Sequence, residues 1–423
     1  MSAASGEPDL IVVGAGAAGL WLAGSAAEAG LEVLVLEKTA RTGTKVLASG
    51  GTRCNLTTTL GPLEAAALFG RAGERFLRPA FQELPPLEVR RRFAAWGVPS
   101  DEAPLEKVFP RSGRARDVRD ALEARMRAHG AALRLNTPVL GLRREGGGWA
   151  VDTPEGPVRG RRVALAAGGR SYPRTGTTGE GYGWLEDLGL RTRPTSPALV
   201  PLTSPDPWVH ELSGIAWQDG VARLLDSNGR AVLRRERPVL FTHAGVSGPG
   251  AMDLSGPVGE AALGGTPAFA LHLDLAPGRS REETRKLLVE AGRQAGAPRV
   301  SRALPERIPR RLLAAVARQA RLPGPDPRVA HLSREHRHAL VEALHGLSMA
   351  IDGTRGFELA EVTRGGLDLK EVDPRSMRVN RQEGLLVVGE LLDLDGPIGG
   401  LNFQAAFSCA EVAARALARE ARA

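Results

Sequence analysis

The stretch that decides the fold is LIVVGAGAAGL, residues 10–20, where a short apolar run passes directly into three glycines. Leu10 to Val13 has the composition of a buried parallel strand. Gly14 permits a tight turn, Gly16 lets the backbone approach a pyrophosphate, and Gly19 lets the following helix pack close to the strand. The sequence therefore predicts a strand, a glycine turn and a helix whose N-terminal N–H groups bind an anion.

A second apolar run, LEVLVLE, ends at Glu37 and completes this unit. A carboxylate at this spacing accepts hydrogen bonds from a ribose diol and disfavours a 2′-phosphate. The motif alone fits both FAD and NAD. Residues 37–59, which follow, are rich in Gly, Thr and Ser and include four basic residues. We expect a second glycine-rich loop there, offering N–H groups and cations to an elongated anion, which favours FAD.

Composition limits the possible classes of protein. A chain of 423 residues with 42% hydrophobic and 25% charged residues predicts two or three compact soluble units. No apolar stretch reaches the roughly 18 residues of a membrane span, and no basic residue precedes the first apolar run as in a secretory signal. Two cysteines, Cys54 and Cys409, cannot form a disulfide framework, so we expect a cytoplasmic protein.

The net charge of +8 and the pI near 10.2 would permit nucleic-acid binding. Arginines are, however, spread along the chain among many acidic residues, and aromatic residues that could stack on bases make up only 4%. This pattern favours a charged, solvated surface and a small-molecule substrate over a nucleic-acid partner. The oligomeric state is left open by the sequence.

Further segments resemble a known family. They are SGGTRCNLT (49–57), AAGGRSYPRTGTTGEGY (166–182), FTHAGVSGPG (241–250), AEVTRGGL (360–367) and VVGELLDLDGPIGGLNFQAAFSCA (387–410). They are similar to the bacterial and archaeal flavoproteins of the HI0933-like family, and the resemblance covers almost the whole chain. Many members of that family are labelled aminoacetone oxidase family FAD-binding enzymes or NAD(P)/FAD-dependent oxidoreductases. The resemblance implies non-covalently bound FAD.

The resemblance also implies an α/β fold, in which a glutathione-reductase-type Rossmann FAD domain carries an inserted β-rich, barrel-like domain and a helical subdomain. The proline-rich stretch that begins at residue 191 marks the first crossing between domains. The predicted segments are residues 1–194 for the first part of the FAD domain, 195–278 for the β-rich domain, 279–350 for the helical subdomain and 351–423 for the C-terminal part of the FAD domain.

The C-terminal segment completes the predicted cofactor site. GLLVVGE predicts a buried strand, and Gly399 and Gly400 precede a final helix whose N-terminus is open to a ligand. The resemblance implies that this helix points at the flavin N1 and C2 carbonyl, where its dipole stabilises reduced flavin. Glu390 stands where flavoproteins of the wider superfamily commonly have Asp, and Glu also accepts hydrogen bonds from ribityl hydroxyls.

The adenosine half of FAD is thus expected on residues 14–37, and the flavin half on residues 45–55 and 399–403. The residues predicted to bind FAD are Gly14, Gly16, Ala17, Ala18, Gly19, Glu37, Lys38, Thr44, Lys45, Ser49, Gly50, Gly51, Asn55, Val139, Ala167, Gly168, Gly389, Glu390, Gly399, Gly400, Leu401, Asn402 and Phe403. The chain has no second complete GxGxxG unit, so NAD(P)H is expected only as a transient co-substrate.

Few residues are candidates for catalysis. His243, in FTHAGVSGPG, is a candidate acid or base, with ordering of its loop or capping of the next helix as the alternative. A redox pair of Cys54 and Cys409 would resemble disulfide reductases, but those use a close dithiol, so structural thiols are expected. The histidines of HLSREHRH, at 331, 336 and 338, lack a ligand pattern, and we predict no metal site.

The sequence therefore predicts an FAD-dependent oxidoreductase that acts on a small organic substrate. The first possibility, taken from the family label, is an amine or aminoketone oxidase in which substrate hydride passes to flavin N5 and oxygen becomes hydrogen peroxide. The first alternative is a reductase in which NAD(P)H reduces the flavin, which then reduces an enone-like double bond. The second alternative is an RNA-binding flavoprotein, suggested by the charge of +8.

Overall fold

A computed structural model of the protein describes residues 6–265 and 268–422. The helices of these residues are α1 (Ala17–Glu28), α2 (Thr44–Thr52), α3 (Pro62–Ala67), α4 (Gly70–Glu83), α5 (Pro86–Ala95), α6 (Ala115–Ala128), α7 (Glu180–Asp187), α8 (Pro207–Glu211), α9 (Pro249–Met252), α10 (Ser255–Ala261), α11 (Arg281–Arg293), α12 (Val300–Ala303), α13 (Arg310–Gln319), α14 (Arg334–Leu344) and α15 (Leu401–Ala421). Short 3₁₀ helices span Pro173–Thr175, Val329–His331, Leu369–Glu371 and Gly389–Leu391. None of the helices in the described residues has the length and hydropathy needed to cross a bilayer.

The strands of the described residues, in chain order, are β1 (Leu10–Val13), β2 (Val33–Leu36), β3 (Thr57–Thr58), β4 (Ser100–Ala103), β5 (Lys107–Pro110), β6 (Ala132–Arg134), β7 (Gly141–Glu145), β8 (Gly148–Asp152), β9 (Val158–Gly160), β10 (Val163–Leu165), β11 (Thr192–Ala198), β12 (Leu202–Thr203), β13 (Ala216–Trp217), β14 (Val221–Leu225), β15 (Ala231–Glu236), β16 (Val239–Thr242), β17 (Gly245–Ser247), β18 (Phe269–Asp274), β19 (Leu347–Ile351), β20 (Gly353–Thr354), β21 (Val362–Leu367) and β22 (Leu385–Val387).

The chain forms two units, each with its own hydrophobic core. The first unit consists of two stretches of chain, one that ends at Ser196 and one that begins at Ala360. The second unit spans Pro197–Leu359. In the first unit a parallel sheet has the strand order β22-β10-β1-β2-β6. The strands β1 and β2 are buried along their whole length, as expected where helices cover both faces of a parallel sheet. This is the predicted Rossmann-type sheet.

Helices α1 and α15 pack together in the first unit. Trp21 of α1 and Phe407 of α15 have ring centroids 4.9 Å apart, and Phe93 of α5 lies 5.9 Å from Trp21. After α6, the strands β7, β8 and β9 form an antiparallel meander. The aromatic contacts fix α1 and α15 relative to each other, and both helices begin at the cofactor-binding edge described below.

The second unit contains two antiparallel sheets and the helices α11 to α14. The sheets have the strand orders β13-β16-β17-β12-β20 and β15-β14-β18-β19. Leu224 and Leu271 from the second of these sheets belong to the same buried cluster as Leu312 of α13 and Leu340 of α14. The β-rich and helical segments of the insertion therefore share one hydrophobic core.

The segment after Glu37 differs from the expected glycine-rich loop, because part of it is helical. Residues Thr44–Thr52 form α2, with buried Val46, although helical geometry is interrupted from Ser49 to Gly51. Gly50 and Gly51 have φ values of 54° and 64°. A run of helix-compatible residues, TKVLA, stands directly before these glycines, and burial of Val46 stabilises the short helix that composition alone did not indicate.

Candidate cofactor-binding site

The glycine turn after β1 has the geometry that a pyrophosphate needs. Gly14 has a φ of 101°, and a Cβ at this position would lie 2.6 Å from the carbonyl oxygen of Ala166. A Cβ at Gly19 would lie 1.9 Å from the carbonyl oxygen of Gly14, so α1 packs too close to the turn for a side chain. A Cβ at Gly16, by contrast, would meet no atom within 4 Å. No side chain caps α1 at Gly16, which leaves its first N–H groups for an anionic ligand.

The carboxylate of Glu37 is fixed beside this turn. Its Oε2 accepts the N–H of Ala15 at 2.8 Å, and its Oε1 accepts the N–H and the hydroxyl of Thr39, both at 2.8 Å. Oε2 keeps a second lone pair that a ribose hydroxyl could use. The N–H of Thr137 donates to the carbonyl oxygen of Glu37 at 2.9 Å, which brings the segment containing buried Val139 to the same place.

Most of the predicted residues lie at one edge of the parallel sheet. Because β1, β2, β10 and β22 are parallel, the residues that follow them meet at their common carboxyl ends, where α/β folds bind ligands. After these strands come Gly14 to Gly19, Glu37 and Lys38, Ala167 and Gly168, and Gly389 and Glu390. A Cβ at Gly389 would lie 3.1 Å from the Cβ of Ala18, so the end of β22 reaches the start of α1.

The N-terminus of α15 is open in the same way as that of α1. Gly400 has a φ of 81°, no side chain caps the helix, and a Cβ at Gly400 would lie 2.1 Å from the carbonyl oxygen of Thr57. The side chain of Asn402 binds both the N–H and the carbonyl of Gly396, at 2.9 and 2.8 Å. Phe403 stacks on Phe407 with 5.9 Å between ring centroids. The residues predicted here thus offer a ligand their backbone N–H groups, which suits a flavin ring.

Glu390 lies in a network that the sequence did not predict. Lys45 Nζ donates to its Oε2 at 2.5 Å, while Ser171 Oγ and the N–H of Thr363 donate to its Oε1 at 2.8 and 2.7 Å. Burial opposes ionisation, but the charge of Lys45 and these hydrogen bonds hold the pKa of Glu390 below its usual value. Ser171 and Thr363 lie in segments that carry the family resemblance, which was the available signal for them.

Between positions 38 and 55, most of the other residues predicted to bind FAD instead make contacts within the protein that hold this segment in place. Lys38 Nζ pairs with Glu180 at 2.5 Å, and Thr44 Oγ1 donates to the carbonyl oxygen of Thr175. Ser49 Oγ donates to the carbonyl oxygen of Val46, and Asn55 Oδ1 accepts the N–H of Val108. A Cβ at Gly50 would lie 2.9 Å from the N of Asn55, whereas Gly51 has no atom within 4 Å of that position.

Tyr172 was missed as a candidate proton donor. It follows Ser171 directly and has a φ of 54°, a left-handed conformation that is strained for a residue with a Cβ. Its side chain is partly buried, and its hydroxyl makes no hydrogen bond within the described residues. Burial, and to a lesser degree the charge of Glu361, raise the pKa of Tyr172. Its strained backbone beside the Glu390 network was invisible to sequence reasoning.

The remaining candidates are less suited to catalysis. Burial raises the pKa of both Cys54 and Cys409 to about 12, so neither is a reactive thiolate at neutral pH. His243 is exposed in the turn between β16 and β17 of the second unit, and no side chain caps the following helix α9. In residues 6–265 and 268–422 no three His, Cys, Asp or Glu residues are arranged to hold a metal ion.

The site fits FAD, since two uncapped helix N-termini, the fixed carboxylate of Glu37 and close-packed glycines lie at one sheet edge. A family model described as "HI0933-like protein Rossmann domain" matches residues 8–416. The chain belongs to the HI0933-like family. This HI0933-like protein is therefore an FAD-dependent oxidoreductase.

Three known proteins are similar to this HI0933-like chain over almost its whole length. The "Ribosomal RNA dihydrouridine synthase" of Escherichia coli (strain K12) is 29% identical over 414 residues, 97% of this chain and 98% of that protein. The "3-dehydro-bile acid delta(4,6)-reductase" of Clostridium scindens is 27% identical over 410 residues, 96% of this chain and 98% of that protein. A solved structure with the same fold is the 3-ketosteroid delta1-dehydrogenase of Sterolibacterium denitrificans in complex with 1,4-androstadiene-3,17-dione. The match has a TM-score of 0.54 and 15% identity, and it covers 98% of this chain and 99% of the dehydrogenase chain.

The names of these relatives conflict with the expected amine or aminoketone oxidase. The two curated relatives are a synthase of dihydrouridine and a reductase, and neither name describes the oxidation of an amine. The family label from which the amine oxidase was inferred is thus a poor guide to the substrate of this HI0933-like protein, because the members share a fold and a cofactor site rather than a substrate.

Proposed function

We propose that this protein reduces a carbon–carbon double bond conjugated to a carbonyl group, and that its substrate is a uridine in ribosomal RNA. The observation that carries the proposal is the similarity to the E. coli ribosomal RNA dihydrouridine synthase, which extends over 97% of this chain. The net charge of +8 supports an anionic substrate. The enone reductase and the RNA-binding flavoprotein, which the sequence suggested as separate alternatives, are combined in this one activity.

A small enone is the second candidate substrate. The bile-acid reductase of C. scindens matches 96% of this chain at 27% identity, nearly as well as the RNA-modifying relative. Reduction of an enone and reduction of uridine at C5=C6 require the same steps, because each double bond is conjugated to a carbonyl. The two candidates therefore differ in what the surface of the protein must bind and not in what the cofactor site must do.

The proposed reaction adds a hydride and a proton to uridine. The hydride adds to C6, the electron pair of the double bond moves toward C5 and the C4 oxygen, and a proton then adds to C5. When bound, a reduced flavin supplies such a hydride, and we propose NAD(P)H as the source of its two electrons. The chain must then orient the base, stabilise negative charge and supply the proton.

We assign the proton donor to Tyr172. A tyrosine phenol, with an ordinary pKa of about 10, carries its proton at neutral pH, and the hydroxyl of Tyr172 makes no hydrogen bond within the described residues. Ser171, the preceding residue, is bound to Glu390 at the cofactor-binding edge, which ties the position of Tyr172 to that edge. A neutral acid of this kind is suited to protonating the carbon next to a carbonyl.

Incubation of the purified flavoprotein with unmodified ribosomal RNA and NADPH or NADH tests the proposal. Dihydrouridine is quantified by mass spectrometry after digestion to nucleosides, and parallel reactions contain a 3-keto-4,6-diene steroid in place of RNA. We expect dihydrouridine to form only when RNA and a nicotinamide nucleotide are both present. Turnover of the steroid without any dihydrouridine would replace the first candidate with the second.

A further inference from the structure

Positive charge is not spread evenly along the chain, contrary to the expectation from composition, but is concentrated in one segment of the second unit. Residues 279–337 contain fifteen Arg and Lys and six Asp and Glu, an excess of nine, whereas the whole chain has a net charge of +8. The rest of the chain is therefore close to neutral. The segment contains α11 to α13 and the first turn of α14, so its charges lie on a helical layer and not on a flexible tail. A rigid layer with such an excess is typical of surfaces that bind polyanions.

Four arginines of this segment lie close together at the end of α11, and we refer to them as the arginine cluster. They are Arg293, Arg299, Arg302 and Arg328, and all four are exposed. Arg299 and Arg328 face each other in an isolated antiparallel bridge, and Arg302 follows Arg299 by one helical turn. A Cβ at Gly292, next to Arg293, would lie 3.5 Å from Val329, which adjoins Arg328. The chain thus brings charges from three elements to one surface.

The arginine cluster is not neutralised by the protein. None of its members forms an ion pair with a carboxylate in the described part of the chain. Arg299 Nη1 donates to the carbonyl oxygen of Asp326 at 2.7 Å, and Arg328 Nη1 donates to that of Ala297 at 3.0 Å. These bonds orient the guanidinium groups but leave their charge uncompensated. The nearby carboxylate of Asp326 instead accepts the N–H and the hydroxyl of Ser301.

Other arginines of the same segment are paired. Arg281 binds Glu342 at 3.1 Å, and Arg285 binds Glu282 at 2.5 Å. These two are exposed residues of α11, the helix that also carries Arg293. Within one helix, therefore, Arg281 and Arg285 have carboxylate partners and Arg293 has none among the described residues, which makes the two paired arginines a matched comparison for the arginine cluster.

We propose that the arginine cluster binds the phosphate backbone of ribosomal RNA. Guanidinium groups bind phosphate oxygens in pairs of hydrogen bonds, and adjacent like charges in the free protein repel each other, so a phosphate that lies between them relieves this repulsion. Contacts of this kind position RNA without reading its sequence. The inference rests on the proposed function for the identity of the RNA, and it assigns RNA binding to the second unit.

The test compares two double variants of the full-length flavoprotein. Arg293→Gln with Arg302→Gln removes two unpaired charges whose side chains make no hydrogen bond in the described residues. Arg281→Gln with Arg285→Gln removes two paired charges from the same helical layer and serves as the matched control. Binding of in vitro transcribed ribosomal RNA is measured by fluorescence anisotropy over a series of salt concentrations, with flavin content and thermal unfolding as checks of folding.

We expect the first variant to weaken RNA binding by about tenfold at low salt and to reduce the slope of log K against log[salt] by roughly 1.4 to 1.8, the change for two phosphate contacts. The control should keep most of the affinity and the slope. Equal losses of affinity in both variants would overturn the proposal, because they would reflect net charge alone. Unchanged affinity in both variants would overturn it as well. RNA binding and dihydrouridine formation are measured in separate experiments. If RNA binding depends on the arginine cluster but no dihydrouridine forms, this inference stands and the proposed reaction is ruled out.

Discussion

Glu390 and Lys45 are 345 positions apart in the sequence, yet they form one ion pair at the edge of the parallel sheet. The sequence predicted each as a separate contact to the cofactor, through the motifs around them. It could not predict that they bind each other, or that Ser171 and Thr363 complete the network, because such pairs depend on the packing of distant segments. Local patterns thus singled out Lys45 and Glu390 as candidates but did not indicate the bond between them.

The Glu390 network leads to a prediction about stability. Glu390→Gln should lower the free energy of unfolding by about 1 to 3 kcal/mol at neutral pH, because it leaves the partly buried ammonium of Lys45 without a counter-charge. Since the folded state lowers the pKa of Glu390, the contribution of its charge is present above the ordinary carboxyl pKa and is lost as pH falls through the lowered value. The difference between wild type and variant should therefore shrink in acid.

Urea unfolding at neutral and acidic pH measures this difference. Glu383→Gln is the matched control, because the Glu383 side chain is 90% exposed and lies 3.4 Å from Arg144. The control should stay within about 0.5 kcal/mol of wild type at both pH values. A similar small effect of both substitutions would show that the network adds nothing to stability.

Tyr172 leads to a prediction about catalysis. Tyr172→Phe should slow reduction of the substrate by about 100-fold or more, because the hydroxyl that delivers the proton is removed. The rate at which NAD(P)H reduces the flavin in the absence of substrate should stay at the wild-type value. Stopped-flow absorbance separates the two half-reactions, and an equal decrease in both would mean that Tyr172 only shapes the site.

At the scale of elements, apolar runs and glycines predicted the strands β1, β2 and β22 and the helices α1 and α15. The helix α2 was not predicted, because the glycines at its end favoured a loop. Whether such a segment forms a helix depends on which side chains find a buried partner, here Val46, and the local sequence does not contain that information.

The glycine turn at the start of α1 provides a prediction for cofactor binding. Gly16→Ala should leave the apoprotein as stable as wild type to within about 1 kcal/mol, because its Cβ meets no protein atom within 4 Å. The same methyl group lies where the backbone must approach a pyrophosphate, so FAD binding should weaken at least tenfold. Absorbance of bound flavin after gel filtration, with thermal unfolding of the apoprotein, measures both effects.

The control for this turn is Gly183→Ala in α7, another glycine whose Cβ would have no neighbour within 4 Å. It should retain FAD like wild type and should unfold at the same or a slightly higher temperature, since Ala favours a helix. If Gly16→Ala retained FAD as well as Gly183→Ala, the pyrophosphate would have to be bound elsewhere.

At the scale of the whole molecule, the second unit is a continuous insertion into a discontinuous first unit. Near its two ends, β12 pairs with β20, with Leu202 opposite Thr354. The sequence predicted boundaries at 194/195, from a change in composition, and at 350/351. The shared core of the strands and helices between these points involves residues as distant as Leu224 and Leu340, and no periodicity within either segment could indicate it.

This architecture predicts that residues 197–359 fold as a separate protein. The segment has its own hydrophobic core, and its paired ends do not need the first unit to hold them together. The fragment should give cooperative thermal unfolding and dispersed NMR signals without any flavin. A fragment that stayed unfolded under conditions where the full chain folds would show that the core depends on the first unit.

The position of β22 and α15 after the insertion also bears on biosynthesis. The ribosome makes the insertion, which ends at Leu359, before it makes these elements, so the insertion can begin to fold as a unit during translation. The parallel sheet must wait, because its edge strand β22 and the uncapped N-terminus of α15 are synthesised after the insertion. Capture of the flavin therefore follows synthesis of α15, and a chain truncated before residue 385 should be colourless.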